Sequence, residues 1–434
     1  MRSDLRTEGF ELFSDGSQRI YHYHLKKCGG TSLNSWLEWH FPDDGRWTEA
    51  VDNQYYLAMR AGTPPIQQAL ASLLEASPGA FTHIPLSGIL PPQTFSVTVL
   101  RNPVKRIVSQ ISDWRREFAE GKHPGHSPEV RAIEHAANMS LRDFLSAHSA
   151  SPLRGLFDNY QTRALATRAG EPADEGDAYA LLPAAKATLE RDYGVVGLTE
   201  RMKETRAAIC SYLGLVPDEE AGGARNVTAD RFVSRDELRD ASEIVGRFTA
   251  VDEELYAHAR LLFLNRHAER AQYSELDFEA KHAAKAVQRL RPVLREQNVF
   301  LSVRDAILGS GIHGRDGAGT DNCAVWTGPT TRTVLYMPCP VEKMLKVKLW
   351  IRGYAAERIR SQVRFEIDDR LTPHAFVSSP ESHEVAEIYA TPKRSFLKLT
   401  ILVDETLTSL EAGGGNADER KRGLAFDGYG WSAV

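Results

Sequence analysis

Apolar residues recur at helical spacing in the first part of the chain and alternate strictly in the last. Leu33, Trp36, Leu37 and His40 fall at i, i+3, i+4 and i+7, which predicts a helix there. Ile20 to Leu25 reads as a short strand ahead of it, and Lys26 to Gly30 as a tight basic turn between the two. Phe95–Leu100, FSVTVL, is β-branched and aromatic and bounded by Pro92 and Pro103, so it reads as a buried strand. Val104, Ile107, Val108, Ile111 and Trp114 then repeat at helical spacing, with Pro103 where a missing N–H costs nothing. A second strand–helix unit spans Tyr193–Leu215, and Asp252–Phe263 looks like a closing helix. Trp47 to Pro78 is helical in composition, interrupted at Pro64–Pro65.

From Asn265 to Gln297 the chain is charged, with Leu276, Phe278, Val287, Leu290 and Leu294 as sparse apolar positions, and reads as a connecting helix. Beyond residue 298 the period changes to two. Leu345, Val347, Leu349 and Ile351 alternate with Lys346, Lys348 and Trp350, and Val363–Ile367 and Leu397–Val403 repeat the pattern. Short alternating runs between Gly, Pro and Asp predict an antiparallel β-sandwich. The expected organisation is a strand–helix domain over 1–264, a helical connector over 265–297 and a sandwich over 298–434.

Composition adds exclusions. The 434 residues are 42% hydrophobic and 26% charged, ordinary for a globular chain, and the formal net charge of −5 argues against wholesale nucleic-acid binding. Any anion site must therefore be local. No apolar run approaches the roughly 20 residues a membrane span needs, so no integral membrane segment is expected. MRSDLRTEGFELF lacks the apolar core of a signal peptide. Cys28, Cys210, Cys323 and Cys339 are widely spaced with no CxxC, so neither a disulfide framework nor a zinc site is indicated. A cytoplasmic location is the expectation, and the sequons at Asn138 and Asn226 then carry no glycan.

The chemistry concentrates in Ile20–Leu37, IYHYHLKKCGGTSLNSWL. A glycine turn lets backbone approach a ligand closely, and N–H groups at a helix start favour an anion. Thr31 or Ser32 is the expected cap. Lys26 and Lys27 precede the glycines, whereas a Walker A loop places its Lys after the last Gly. The order K-x-G-G-T-S resembles the HxPKTGGTS segment of the PAPS-dependent sulfotransferases, with His24, Lys27, Gly29, Gly30, Thr31 and Ser32 matching. Lys26 stands for the usual proline and Cys28 for the usual threonine, whose hydroxyl is lost while the backbone N–H remains. VTVLRNPVKRIVSQ resembles the same family's strand and RDPxxRxxSxY motif through Arg101, Pro103, Arg106 and Ser109. FTHIP resembles its GHxP element, Asp158–Arg163 its NxQTR element and YGVVGLTE its VGLxE segment. The likeness covers about residues 18 to 265 and is nearest to the carbohydrate-sulfating branch.

The resemblance implies a parallel sheet flanked by helices like that of P-loop nucleotide kinases. It also implies sulfuryl transfer from PAPS (3′-phosphoadenosine 5′-phosphosulfate) to a carbohydrate hydroxyl, leaving adenosine 3′,5′-bisphosphate. In that reading Lys27 stabilises the leaving phosphate, with Lys26 competing for the role. Lys26, Lys27, Cys28, Gly29, Gly30, Thr31 and Ser32 hold the 5′-phosphate, Arg101 and Ser109 the 3′-phosphate, and His83 is the general base. Arg115, Arg116, Gln161 and Arg163 are the expected acceptor-side residues, together with Lys122 on a mobile excursion over 115–140. Glu200 either orients a basic residue or caps a helix. Lysines and a helix start supply the positive charge, so no metal is required. The ending GNADERKRGLAFDGYGW resembles jelly-roll modules attached to bacterial carbohydrate-active transferases. By analogy the sandwich binds glycans or packs on the catalytic domain, with Trp326, Trp350 and Trp431 stacking on sugars or filling its core. Two alternatives stay open: a nucleotide-phosphate kinase or NTPase on a similar core, and a glycan-binding protein whose transferase core has lost activity.

Overall fold

The computed structural model describes residues 17, 19–41, 79–86, 88–121, 128–151, 153–167, 176–217, 232–290, 293–295, 298–318, 320, 322–379, 384–413, 418 and 420–434. The stretch from Trp47 to Pro78, Lys122 and the loop at Asn226 lie outside these residues.

Four strands, β1 (Arg19–Tyr23), β2 (Gly79–Thr82), β3 (Thr94–Leu100) and β4 (Val195–Leu198), form a parallel sheet in the order β2-β1-β3-β4. Successive side chains point to opposite faces of a strand. Ile20, Val97 and Val195 thus join Leu33, Trp36 and Ile209 in one core, while Tyr21, Tyr23 and Val196 join Leu182, Leu189, Leu255 and Phe263 in another. Both faces are covered, so β3 is buried along nearly its whole length even though Ser96 and Thr98 alternate with Phe95, Val97 and Val99. In this order the chain leaves β1 towards one edge and reaches β3 on the other side. The carboxyl ends of β1 and β3 flank the topological switch point, where open parallel sheets offer a crevice.

The expected helices form over Gly30–Leu37, Pro103–Ala119, Met202–Leu213 and Ser242–His267. Asn102 caps the second by accepting from the Lys105 N–H. Ile107, Ile111 and Trp114 on that helix pack with Phe144, Phe157 and Phe248 in a third cluster. Three expectations need correction. Gly29, not Thr31 or Ser32, is the N-cap of the first helix, with φ 79° and no side-chain cap. The segment over 115–140 is largely helical, because Pro103–Ala119 continues through Arg115 and Arg116 and Pro128–Asn138 follows. The connector is broken into Glu275–Lys281 and Ala283–Ala286, and its end is strand β5 (Val293–Arg295).

The last third is antiparallel. One sheet runs β13 (His374–Val377), β14 (Glu384–Ala390), β10 (Leu345–Tyr354), β16 (Leu424–Ala433), β6 (Asn298–Ser302) and β5, with β8 (Val325–Trp326) pairing β16. The other runs β12 (Arg370–Thr372), β11 (Arg364–Ile367), β15 (Phe396–Leu402), β9 (Arg332–Pro338) and β7 (Gly309–Ser310). Val347, Leu349 and Ile351 from the first sheet share a core with Leu335, Leu399 and Ile401 from the second. That core is continuous with Leu33 and Trp36 of the first helix and includes Phe278 and Val287 of the connector. Glu275 and Glu279, one turn apart, tie the connector to Arg332, Arg394 and the buried Lys398. The Arg315 guanidinium donates to the carbonyls of Glu38 and Phe41, at the end of the first helix, and to those of Val303 and Asp305.

Candidate active site

Each parallel strand ends in a residue singled out above. The basic turn follows β1, His83 follows β2, Arg101 follows β3, and Thr199 and Glu200 follow β4. The sheet alone brings them to one edge.

The turn is over-determined. Lys27 has φ 64°, a left-handed conformation that costs a non-glycine residue roughly 1–2 kcal/mol. Its carbonyl accepts from Arg101 Nη1 at 3.0 Å, and its ammonium pairs with Asp113. Thr199 Oγ1 donates to the Cys28 carbonyl at 2.7 Å and lies 3.1 Å from the Leu100 carbonyl, joining the turn to the end of β3. The two glycines are needed for different reasons. Gly29 combines its positive φ with a Cβ position 3.0 Å from Met202 Cε, whereas a Cβ on Gly30 would lie 1.8 Å from His24 Cδ2. The N–H groups of the first turn, from Gly30, have no intrahelical acceptor and face the start of the helix.

Three imidazoles continue from β1. The His22 and His24 rings stack at 5.7 Å, and His24 and His83 lie 4.2 Å apart. His22 Nδ1 lies 2.5 Å from Asn34 Oδ1 and His83 Nδ1 lies 2.5 Å from the His24 carbonyl. A carbonyl only accepts, so His83 carries its proton on Nδ1 and, when neutral, its lone pair on Nε2. Burial pushes His22 down to about 4, and burial with the neighbouring His83 charge holds His24 well below the usual histidine range.

The arginines separate by whether their donors are spent. Arg163 is buried, bonding the Asp158 carbonyl, its carboxylate and the Gly176 carbonyl. Arg115 is consumed by the Glu237 carboxylate and by the carbonyls of Ala136, Met139 and Phe232. Both guanidiniums are engaged inside the protein, in contrast to the acceptor-side role expected of them. Arg106 is fully buried, donating to the Leu156 carbonyl and lying 4.4 Å over the Tyr160 ring. Arg101 is different: beyond Nη1, its guanidinium has no hydrogen-bond partner among the described residues. Arg116 is half-buried, pairs with Asp113, and keeps a buried Nε with no partner.

Gln161 lies inside the protein as well. Its side chain is fully buried and mimics a strand, accepting from the Arg101 N–H at 2.9 Å and donating to the Arg101 carbonyl at 3.0 Å. Both ends of its amide are engaged by the Arg101 backbone. Cys28 turns inward as well: its N–H closes the turn on the Leu25 carbonyl, its thiol meets Gln161 Oε1, and burial pushes it up to about 12. The Cys28 N–H expected to hold a phosphate is engaged within the turn itself. Thr31 is exposed on the first turn, Ser32 is buried within it and Ser109 is half-buried on Pro103–Ala119. Glu200 acts structurally, accepting from the Asn102 N–H and the Tyr256 hydroxyl.

Sequence reasoning missed Asp113, Thr199 and Asp252. Asp252 is buried and takes the Gln161 and Thr162 N–H groups, holding Gln161 in place. Asp113 offered a signal: an acid between Ile111 and Trp114 on an apolar helix face must find a cation. Among the described residues no group of His, Cys, Asp and Glu is arranged to hold a metal ion. No family model matches the chain, and no curated protein matches it.

Proposed function

We propose that the chain is a PAPS-dependent O-sulfotransferase acting on a carbohydrate hydroxyl, with a nucleotide-kinase-like core and a jelly-roll module. One observation carries the reading. The switch-point crevice gathers a basic glycine turn of non-Walker order, an arginine with unspent donors and a histidine of assigned tautomer.

The donor supplies an activated sulfuryl group bound to a phosphate. Lys27 and the first-turn N–H groups meet the charge that develops on that phosphate as the S–O bond breaks. Arg101, its backbone locked by Gln161, presents a planar fork suited to the 3′-phosphate. His83 Nε2 takes the proton of the acceptor hydroxyl while its oxygen bonds to sulfur. Positioning and electrostatics carry most of such a transfer, as they do in phosphoryl transfer.

Calorimetric titration with adenosine 3′,5′-bisphosphate in EDTA, with ATP as comparison, tests the reading. Micromolar binding that disappears in Arg101→Ala and is not matched by ATP supports it. A preference for ATP that requires Mg²⁺ overturns it in favour of a kinase.

A further inference from the structure

The two oxygens of Asp113 each hold a different cation: Oδ2 takes the Lys27 ammonium and Oδ1 the Arg116 guanidinium. The carboxylate is nearly buried, with a side-chain exposure of 10%, while Lys27 and Arg116 keep 26% and 28%. Neither cation is enclosed. Among the described residues Arg116 Nε is buried with no hydrogen-bond partner. A carboxylate holding two cations through separate oxygens does what two oxygens of a sulfuryl or phosphoryl group would do.

We propose that Lys27 and Arg116 together receive the transferring oxyanion, and that Asp113 is the internal counter-ion they share until it arrives. This deepens the reading of the crevice as a donor site and rests on it. Arg116 moves from the acceptor side to the donor side. Asp113 is a positioning residue that sets the charge an incoming ligand must bring: an oxyanion able to outcompete one carboxylate for two cations is admitted, and a neutral group is not. No bond is made or broken in the exchange.

The test is a double-mutant cycle. Wild type, Asp113→Asn, Lys27→Met and the double variant are titrated at fixed ionic strength with adenosine 3′,5′-bisphosphate and, separately, with inorganic pyrophosphate. Partly exposed ion pairs are worth up to about 1 kcal/mol, so releasing Lys27 tightens binding about fivefold. The gain should shrink in the Lys27→Met background, where only Arg116 is left for Asp113→Asn to release. Weaker or unchanged binding by a normally melting Asp113→Asn protein overturns the proposal, as does a gain that is undiminished without Lys27. If Asp113→Asn does not fold, Arg116→Gln decides: binding weakens about tenfold if Arg116 receives the anion, and stays unchanged if it does not. A cycle that behaves as expected with pyrophosphate while the bisphosphate does not bind keeps the cation pair and discards the nucleotide reading. Bisphosphate binding that ignores every Asp113 and Arg116 variant does the reverse.

Discussion

Gly30→Ala sets two effects of opposite sign against each other. Gly30 is the first residue of its helix and does not have a positive φ, so local propensity favours alanine by roughly 0.5–1 kcal/mol. The added Cβ would lie 1.8 Å from His24 Cδ2 and 2.3 Å from Nε2. That ring cannot easily swing aside. Its backbone N–H is bonded to the Thr82 carbonyl at 2.8 Å, its carbonyl takes the His83 proton, and its face lies between His22 and His83. Overpacking of this kind typically costs 1–3 kcal/mol, so the clash outweighs the propensity gain and the net destabilisation is up to about 2.5 kcal/mol. The displaced ring also disturbs the His83 anchor, so ligand affinity falls with stability. Thermal melting and bisphosphate titration of Gly30→Ala should both show a loss. In a His24→Ala background the obstacle is gone, and Gly30→Ala should become neutral or stabilising. A Gly30→Ala protein that melts higher than wild type with His24 intact would refute the reasoning.

His83→Ala should lower turnover by about 10²–10⁴-fold, the usual range for a general base, with bisphosphate affinity near wild type; equal losses in both would show that the residue holds the site together instead. Gln161→Leu strands the Arg101 N–H and carbonyl, at roughly 1–3 kcal/mol for each buried group left unpaired. Bisphosphate binding should weaken with the melt, and an unaltered affinity would remove Gln161 from the positioning role. His22 and His40 are held at about 4 and about 3 by burial, below the ordinary 6.5. Their unfolded forms bind protons first as pH falls, so stability present above about 6.5 is lost progressively towards the folded values, by up to about 1.4 kcal/mol per pH unit for each ring. Denaturation midpoints between pH 7 and 4.5 check this, and a flat profile would contradict it.

Local pattern alone determined much of this protein. The helical period of Leu33, Trp36 and Leu37, the strand before Arg101 and the two-residue alternation of β10 are all present in the structure. These elements were legible because burial of one face or both writes a period into the residues themselves. The pairing of the basic turn with Arg101 was legible too, since both directly follow strands. Which polar groups are spent was not. Arg101, Arg106, Arg115 and Arg163 look alike in one dimension, yet Arg115 and Arg163 are consumed by carbonyls and carboxylates between 5 and 122 residues away, and Arg106 is buried on a carbonyl and the Tyr160 ring. Distant chain decides that, and no periodicity records it. The same holds for Arg315, which clamps the end of the first helix across 277 residues, and for Asp113, whose partner Lys27 lies 86 residues away. A buried charge must be matched by whatever the fold brings beside it, and only the tertiary structure supplies that neighbour.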